Sequence, residues 1–393
     1  MIYRFNAARL LYFLHMEPVR AAFIHSNEIE HYHYPAQCPF KTERAALTKD
    51  ILSSMVCYIG DSMVEIPPVA LSDKDLLRYH TPEYIAALKR AAQGQLSAED
   101  LFFGIGTDDC PVFSDMFAYA CLASGASVTG ARLLLDRAVR YAFNPSGGYH
   151  HAKAAEAGGF CYVNDNVLAC KELTAAGKRV LCLDLDVHHG NGTQEAFYDD
   201  PSVFTISFHE SGKSLFPWGG FENEIGEGPG KGYNVNIPLL PGTDDDTYCA
   251  VFKEIVLPLI QAYGPDVMVL EIGMDVLSVD PLAHFKMTNN AIADILPLLM
   301  QFELPLLVLG GGGYNPEATA RGWALAWCVL CGLETDADMS MGMGGVFLGS
   351  SELRSGLRDM HIYTQGEEKR AITAHAQRVV EYIKTTVFPI QGI

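Results

Sequence analysis

The chain has 393 residues, 49% of them hydrophobic, and a formal net charge of -19. That length and apolar content suffice for a large buried core, and the even spread of motifs favours one large α/β domain over two. The charge argues against direct nucleic-acid binding, which needs Lys and Arg against phosphates. It agrees with a cationic substrate such as a lysine-bearing peptide or a polyamine, although a solubilising acidic surface is the commoner cause of such a balance.

The first fifteen residues contain Leu10-Leu11-Tyr12-Phe13-Leu14 but are broken by Arg4 and Arg9 and offer no small-residue cleavage site. They read as an N-terminal extension of uncertain status, not a secretory signal, ahead of a single domain over residues 16–393. No run approaches the ~18 unbroken apolar residues of a membrane helix, so no membrane partner is expected. The ten cysteines form no disulfide framework. Cys57, Cys121, Cys170, Cys182 and Cys249 sit in apolar or helical surroundings, which suits a reducing compartment and a cytoplasmic location. Thr81-Pro82-Glu83 predicts a helix through Arg90, with a cap and a first-turn proline.

Residues 138–143 are an apolar segment leading into Ser146-Gly147-Gly148-Tyr149-His150-His151-Ala152. Adjacent histidines on a Gly-rich turn cannot both point into a core, so at least one is expected to face a cleft. A lone pair is as often structural as functional. Beside a metal site, however, a near-neutral imidazole can take a proton from water and return it to a leaving group.

Val180-Leu181-Cys182-Leu183 predicts a buried strand running into Asp184-Leu185-Asp186-Val187-His188-His189-Gly190-Asn191-Gly192. Alternation sends Asp184, Asp186 and His188 to one face and Leu183, Leu185 and Val187 to the other. Buried acids are costly without a cation or a shared proton. Oxygen and nitrogen ligands without a thiolate suit catalytic zinc, iron or manganese better than a closed structural zinc site. The plainer alternative is that Asp and His merely cap the next helix.

A second apolar run, Val267-Met268-Val269-Leu270, leads into Glu271-Ile272-Gly273-Met274-Asp275. Ligands bind at the carboxyl ends of strands in open α/β sheets, so Asp186, His188 and Asp275 are expected to meet there with a coordination position left open. A third run, residues 304–308, precedes Leu309-Gly310-Gly311-Gly312-Gly313-Tyr314. No Gly-Lys-Ser/Thr follows, so a phosphate loop is not expected. The glycines let backbone approach a ligand and present the Tyr314 hydroxyl to it. Cys328-Val329-Leu330-Cys331 lies in an apolar helix-like run and reads as core packing rather than a redox or metal motif. Residues 335–365 read as loop and 367–384 as a terminal surface helix.

Taken together, HHA at 150–152, GGFCYVND at 158–165, DLDVHHGNGT at 184–193, SFH at 207–209, GMDVLSVDP at 273–281 and LGGGGYN at 309–315 resemble the zinc-dependent histone deacetylase superfamily. That group includes class I and II deacetylases, acetoin-utilisation proteins and acetylpolyamine amidohydrolases. The resemblance runs from about residue 19 to about residue 333. It implies an arginase/deacetylase-like α/β fold with a central parallel sheet of about eight strands flanked by helices.

The resemblance makes Asp186, His188 and Asp275 the zinc ligands and His150 and His151 a tandem acid/base pair, with Asp184 holding His150 and Asn191 holding His151. Tyr314 becomes the phenol that polarises the scissile carbonyl. Gly159, Phe160 and Phe216 would line a narrow tunnel for an acyl-lysine-like chain, with Leu282 also contacting substrate and Asp109 on the rim accepting substrate N–H groups. Potassium is implied at one site by Asp184, Asp186, His188, Ser207 and Phe208, and at a second by Phe197, Asp200, Val203 and Tyr233. Cys110 and Cys161 match positions that some members oxidise to a disulfide.

The implied activity is removal of acetyl or other acyl groups from lysine side chains or related amines, with acetylpolyamines and small acylated amines as alternative substrates and hydroxamates as inhibitors. An arginase-type ureohydrolase would hold two manganese ions, but Gly190 and Leu277 stand where further ligands belong. A catalytically dead acyl-lysine-binding module is the other alternative, and intact His150, His151 and Tyr314 argue against it. Asn191 stands where class I members usually carry Asp, which leaves His151 less basic. Glu271 and Met274 stand where an amide or small residues are expected, which alters the electrostatics and the pocket wall near Asp275.

Overall fold

In the computed structural model, which describes residues 20–333 and 356–393, eight parallel strands form one sheet. They are β1 (Ala21–Ile24), β2 (Met63–Ile66), β3 (Tyr141–Asn144), β4 (Val180–Asp184), β5 (Val203–Glu210), β6 (Asn234–Leu239), β7 (Val267–Glu271) and β8 (Leu306–Leu309). Their order across the sheet is β2-β1-β3-β8-β7-β4-β5-β6. The central strands are apolar along their length because both faces are covered, the usual condition of a parallel sheet. The expected parallel sheet of eight strands is therefore what the chain forms.

The longer helices are α1 (Arg44–Ser54), α2 (Pro82–Ala92), α3 (Met116–Leu135), α4 (Asp165–Ala175), α5 (Asn191–Phe197), α6 (Asp245–Tyr263), α7 (Asn289–Met300), α8 (Pro316–Cys331) and α9 (Gly366–Thr386). Alternate residues of each strand enter opposite layers. Leu181, Leu183, Met268, Leu270, Leu306 and Val308 pack against α1, α6, α7, α8 and α9, while Val180, Cys182, Val267, Val269, Leu307 and Leu309 pack against α3 and α4. A third apolar cluster, rich in Tyr34, Phe40, Tyr84, Tyr149 and Tyr162, sits apart from both and includes the flanks of Phe160 and Tyr314.

Several expectations shift. The segment read as starting at Ala138 pairs only from Tyr141, because Ala138 still closes the end of α3 by donating to the Leu133 carbonyl. The β4 strand stops at Asp184, so Asp186 and His188 stand on the following turn. Leu185 and Val187 nevertheless stay fully buried, and the alternation survives past the strand end. The α3 helix is long and apolar enough by composition to cross a membrane. Here it is a core helix, and Gly130 lets it lie against Leu307, Ile24 and Ala142 of the sheet. The helix at Thr81 forms as read and runs on to Ala92, with the Thr81 hydroxyl capping Tyr84 N–H. The terminal helix spans Gly366–Thr386 and buries Ile372, Ala376, Val379, Val380 and Ile383, so one of its faces belongs to the core. The Cys328/Cys331 run is buried as read, whereas Cys57 is half-exposed in the turn after α1. The extension at residues 1–15 and most of the loop read at 335–365 lie outside the described residues.

Candidate active site

Adjacent central strands end on one line. Asn144 pairs with Leu309, Leu309 with Glu271, Glu271 with Asp184, and Asp184 with Ser207. The main sequence motifs therefore leave the sheet at the same level: His150 and His151 after β3, Asp186 and His188 after β4, Asp275 after β7 and Tyr314 after β8. Neighbouring loops converge there, which is why ligands collect at carboxyl ends of parallel strands.

Asp186, His188 and Asp275 are buried, and one ligand-type atom from each lies within 4.8 Å of the others. His188 Nδ1 is 3.2 Å from Asp186 Oδ1 and 3.0 Å from Asp275 Oδ2. Main-chain N–H groups aim the carboxylates: Val187 donates to Asp275 Oδ1 (3.1 Å), and His188 and Gly312 donate to the two oxygens of Asp186 (2.8 and 2.6 Å). A Cβ on Gly312 would overlap the Asp275 carboxylate, so only glycine lets the β8 loop close over the cluster. Burial opposes charge on His188, but hydrogen bonds to Asp186 and Asp275 outweigh it and lift its pKa to about 10. Burial and the Asp186 charge push Asp275 up to about 7.

His150 Nδ1 donates to Asp184 Oδ2 (2.8 Å), and His151 Nδ1 donates to Asn191 Oδ1 (2.9 Å), as expected for both partners. The two Nε2 atoms face each other at 3.1 Å. With Nδ1–H on both rings, that approach is a hydrogen bond only if one ring carries a second proton. Burial lowers both pKa values, yet the carboxylates of Glu271, Asp184 and Asp186 reverse it at His150 and hold that ring charged. At His151 burial is reinforced by His150 and His188, and the ring stays neutral. The pair is thus one imidazolium beside one free base, and the base is the ring with the amide partner.

Glu271 has its carboxyl buried at the end of β7. Asn166 Nδ2 donates to Oε2 (2.5 Å), while Oε1 lies 3.0 Å from His150 Nδ1 without making a hydrogen bond. Burial pushes Glu271 up to about 8, against the downward pull of the His150 charge. His150, Asp184 and Glu271 also bring ligand-type atoms within 4.8 Å of one another. There the imidazole nitrogen already serves Asp184.

Aromatic rings stand above this floor. Phe216 packs edge-on against His151 at 4.9 Å between centroids, Tyr314 against His188 at 6.2 Å, and Phe160 lies 5.6 Å from Tyr314. Gly159 has φ +53°, and a Cβ there would strike the His151 ring. The Tyr314 hydroxyl makes no hydrogen bond to a described residue, while its N–H donates to Asp280 Oδ2 (2.7 Å). Asp280 Oδ1 accepts the Leu282 N–H (2.8 Å), tying the half-exposed Leu282 to the Tyr314 loop. Asp109, the rim residue expected to accept substrate N–H groups, accepts the Gly159 N–H at Oδ2 (2.8 Å) and the Thr107 hydroxyl at Oδ1 (2.7 Å). It braces the turn that carries Gly159 and Phe160.

The profile of the histone deacetylase domain matches residues 38–330. The chain belongs to the histone deacetylase family. It is 39% identical over 319 residues to histone deacetylase 2 of Oryza sativa subsp. japonica, covering 80% of this chain and 62% of that protein. To histone deacetylase clr6 of Schizosaccharomyces pombe it is 36% identical over 323 residues, 81% of this chain and 79% of the other. The chain thus spans less than two thirds of the rice protein's length. Among solved structures, an HDAC homolog complexed with SAHA is similar at a TM-score of 0.81 and 31% identity, covering 93% of this chain and 100% of its own. An HDAC homolog from Aquifex aeolicus matches with the same TM-score and identity over 92% of this chain and 100% of its own.

The histone deacetylase family is zinc-dependent, and the donors here fit the ion. Two carboxylates and one imidazole, all buried, share among themselves only a proton on His188 as counter-charge, and a divalent cation held by the same atoms would take its place. Ser207 lies beside Asp184 through the β4–β5 register, with Phe208 next to it. Phe197, Asp200 and Val203 cluster where α5 turns into β5: Asp200 N–H donates to the Phe197 carbonyl, and Tyr233 receives Thr205 N–H from the same strand.

Sequence reasoning left several supporting residues of this deacetylase-family site unassigned. Asp165 accepts from the N–H groups of Gly148 (3.0 Å) and Tyr149 (2.7 Å) and so fixes the turn bearing the histidines. Asn164 donates to the carbonyls of His150 and Ala152, and its own N–H is received by His80 Nε2 at 3.1 Å. Asn164, Asp165 and Asp280 stand inside motifs already singled out, so an unassigned polar residue in such a run was the available signal. Arg44, which donates to the Gly313 carbonyl (2.9 Å) from α1, carried none.

Proposed function

We propose that this chain is a zinc-dependent deacylase that hydrolyses the amide of acylated lysine side chains. The observation that carries this reading is that His151, hydrogen-bonded to Asn191, shares one buried floor with the Asp186, His188 and Asp275 cluster beneath the Tyr314 phenol. Zinc, held by those three side chains, supplies Lewis acidity and lowers the pKa of water. His151 takes the proton from the attacking water and delivers it to the departing amine, with Asn191 fixing its tautomer. His150, held charged by Asp184, lends positive charge beside the reacting atoms. Tyr314 donates its unengaged hydroxyl to the carbonyl oxygen as negative charge develops there.

Gly159, Phe160 and Phe216 form walls suited to a slender alkyl chain, with Leu282 at the mouth. Asp109 acts first by bracing those walls. Each of its oxygens keeps a lone pair for a substrate N–H. Potassium is assigned to the Asp184, Asp186, His188, Ser207 and Phe208 group and to the Phe197, Asp200, Val203 and Tyr233 group. A reducing, cytoplasmic location is assigned, supported by the apolar surroundings of most of the cysteines. Assay of the zinc-loaded protein against acetyl-lysine peptides, longer acyl-lysines and N-acetylpolyamines tests the proposal. Turnover of a lysine substrate, abolished by a hydroxamate and by chelation, is expected. Polyamine turnover without lysine turnover would reassign the substrate, and activity indifferent to both inhibitors would overturn the chemistry.

A further inference from the structure

Between Ser278 and Met287 the chain leaves the body of the fold and returns. Ser278 N–H donates to the Met287 carbonyl (2.9 Å), Lys286 N–H donates to the Thr243 carbonyl (2.8 Å), and buried Phe285 packs edge-on against Tyr248. Pro281, Leu282 and His284 stand exposed on the loop closed in this way. Two buried carboxyl groups hold its tip. Asp280, within the loop, accepts the N–H groups of Leu282 (2.8 Å) and Tyr314 (2.7 Å). Glu210, at the end of β5, accepts the His284 N–H at Oε2 (3.0 Å) and the His284 Nδ1–H at Oε1 (3.0 Å).

Glu210 is buried although the ring it holds is 59% exposed. A buried carboxyl is costly unless donors reach it, and among the described residues both of its donors come from His284. The Glu210 N–H donates to the carbonyl of Val187 (2.8 Å), which stands between Asp186 and His188. Ser211, the next residue, opens the loop that leads to Phe216. Its N–H donates to the Leu239 carbonyl (2.8 Å), and its carbonyl receives the N–H groups of Ser214 (2.8 Å) and Leu215 (3.1 Å). Glu210 therefore joins three pieces of the site: the turn that bears Asp186 and His188, the Phe216 loop and the Leu282 loop. Leu282 is exposed, so its own packing fixes it weakly. Its place depends on the main chain, which is tied two residues before it by Asp280 and two residues after it by Glu210.

We propose that Glu210 and His284 are positioning residues for the substrate mouth: the pair fixes Leu282 relative to the Phe216 loop and so sets how firmly an acylated side chain is held. This inference rests on the deacylase reading given above. The pair acts through Leu282 and not on the reacting atoms, so its loss weakens the hold on substrate and transition state alike and is read in KM.

The test uses zinc-loaded full-length protein and an acetyl-lysine peptide. His284→Ala should raise KM by roughly fivefold and leave kcat within about twofold, with metal content unchanged. His284→Asn should restore KM to within about twofold of wild type, because the Asn amide offers a donor close to the place of the lost Nδ1–H. Glu210→Gln should act in the same direction as His284→Ala, and the double variant should be no worse than the more impaired single one, since both remove one interaction. A second measurement needs no substrate and no buried substitution: in hydrogen exchange, amides of residues 280–286 should exchange about tenfold faster in His284→Ala than in wild type, while those of β5 stay unchanged. A fall in kcat at constant KM, additive effects in the double variant, His284→Asn as impaired as His284→Ala, or equal exchange in wild type and His284→Ala would overturn the proposal. Wild-type protein that turns over no acyl-lysine would instead remove the reading of function, and the exchange measurement then decides the brace by itself.

Discussion

Asp186, His188, Asp275, His150 and His151 are set by groups that belong to the sheet or to the turns leaving it. Main-chain N–H groups aim the acids, Asp184 and Asn191 fix the two rings, and Asn164 and Asp165 hold the turn beneath them. Phe160, Phe216 and Leu282 instead stand on loops and are held by packing and a few hydrogen bonds, with Trp218, two residues past Phe216, 65% exposed. The floor tolerates little change because hydrogen bonds aim each of its side chains, while the rim shapes what can enter. Chemistry sits where the backbone is rigid and selection where it is loop-borne, the division expected when loops vary over a fixed scaffold.

Removing a floor ligand should have the largest effect. Asp186→Ala should lose the bound metal and lower kcat/KM by on the order of 10³-fold or more, since two of the three ligands cannot hold the ion as well. Metal analysis beside activity checks this, and a variant retaining both would detach Asp186 from the metal. Tyr314→Phe should lower kcat and kcat/KM together by about 10²–10³, with metal content unchanged, because one oxyanion donor is lost and little else. Wild-type kcat in that variant would make Tyr314 a wall residue, moving it from floor to rim.

At the rim, Phe216→Ala should raise KM by roughly tenfold while leaving kcat within about threefold, as loss of uniform binding does. A fall in kcat of the Tyr314→Phe size would show instead that the ring's contact with His151 shapes the chemistry. The smallest effect is on stability and comes from beneath the floor. Burial lowers the His80 pKa to about 4, and the neutral ring receives the Asn164 N–H. The unfolded chain binds a proton near pH 6.5 that the folded protein refuses until about pH 4, so stability from this group is full above the unfolded value and falls as pH drops between the two. The loss from about pH 7 to about pH 5 is about 2 kcal/mol. Denaturant titrations of wild type and His80→Gln should show a shallower pH slope in the variant, and equal slopes would remove His80 from the account.

Much of this site was legible in the linear chain because parallel strands announce themselves as unbroken apolar runs and their carboxyl ends as abrupt polar motifs. Asp186, His188, Asp275, His150, His151 and Tyr314 each followed such a run closely enough to be placed at one edge of one sheet. The strand order that makes β3, β8, β7 and β4 neighbours was not written there, since β7 and β8 enter the centre of the sheet only after β4 to β6 have been laid down. Tertiary structure also decided protonation and partnership. Whether His150 or His151 carries the charge depends on Glu271 and Asp184 arriving from other strands, and the brace that Asp109 gives Gly159 depends on two loops meeting. Period and residue type act locally along the chain, whereas electrostatics and close contact act through space, and only folding brings the second into being.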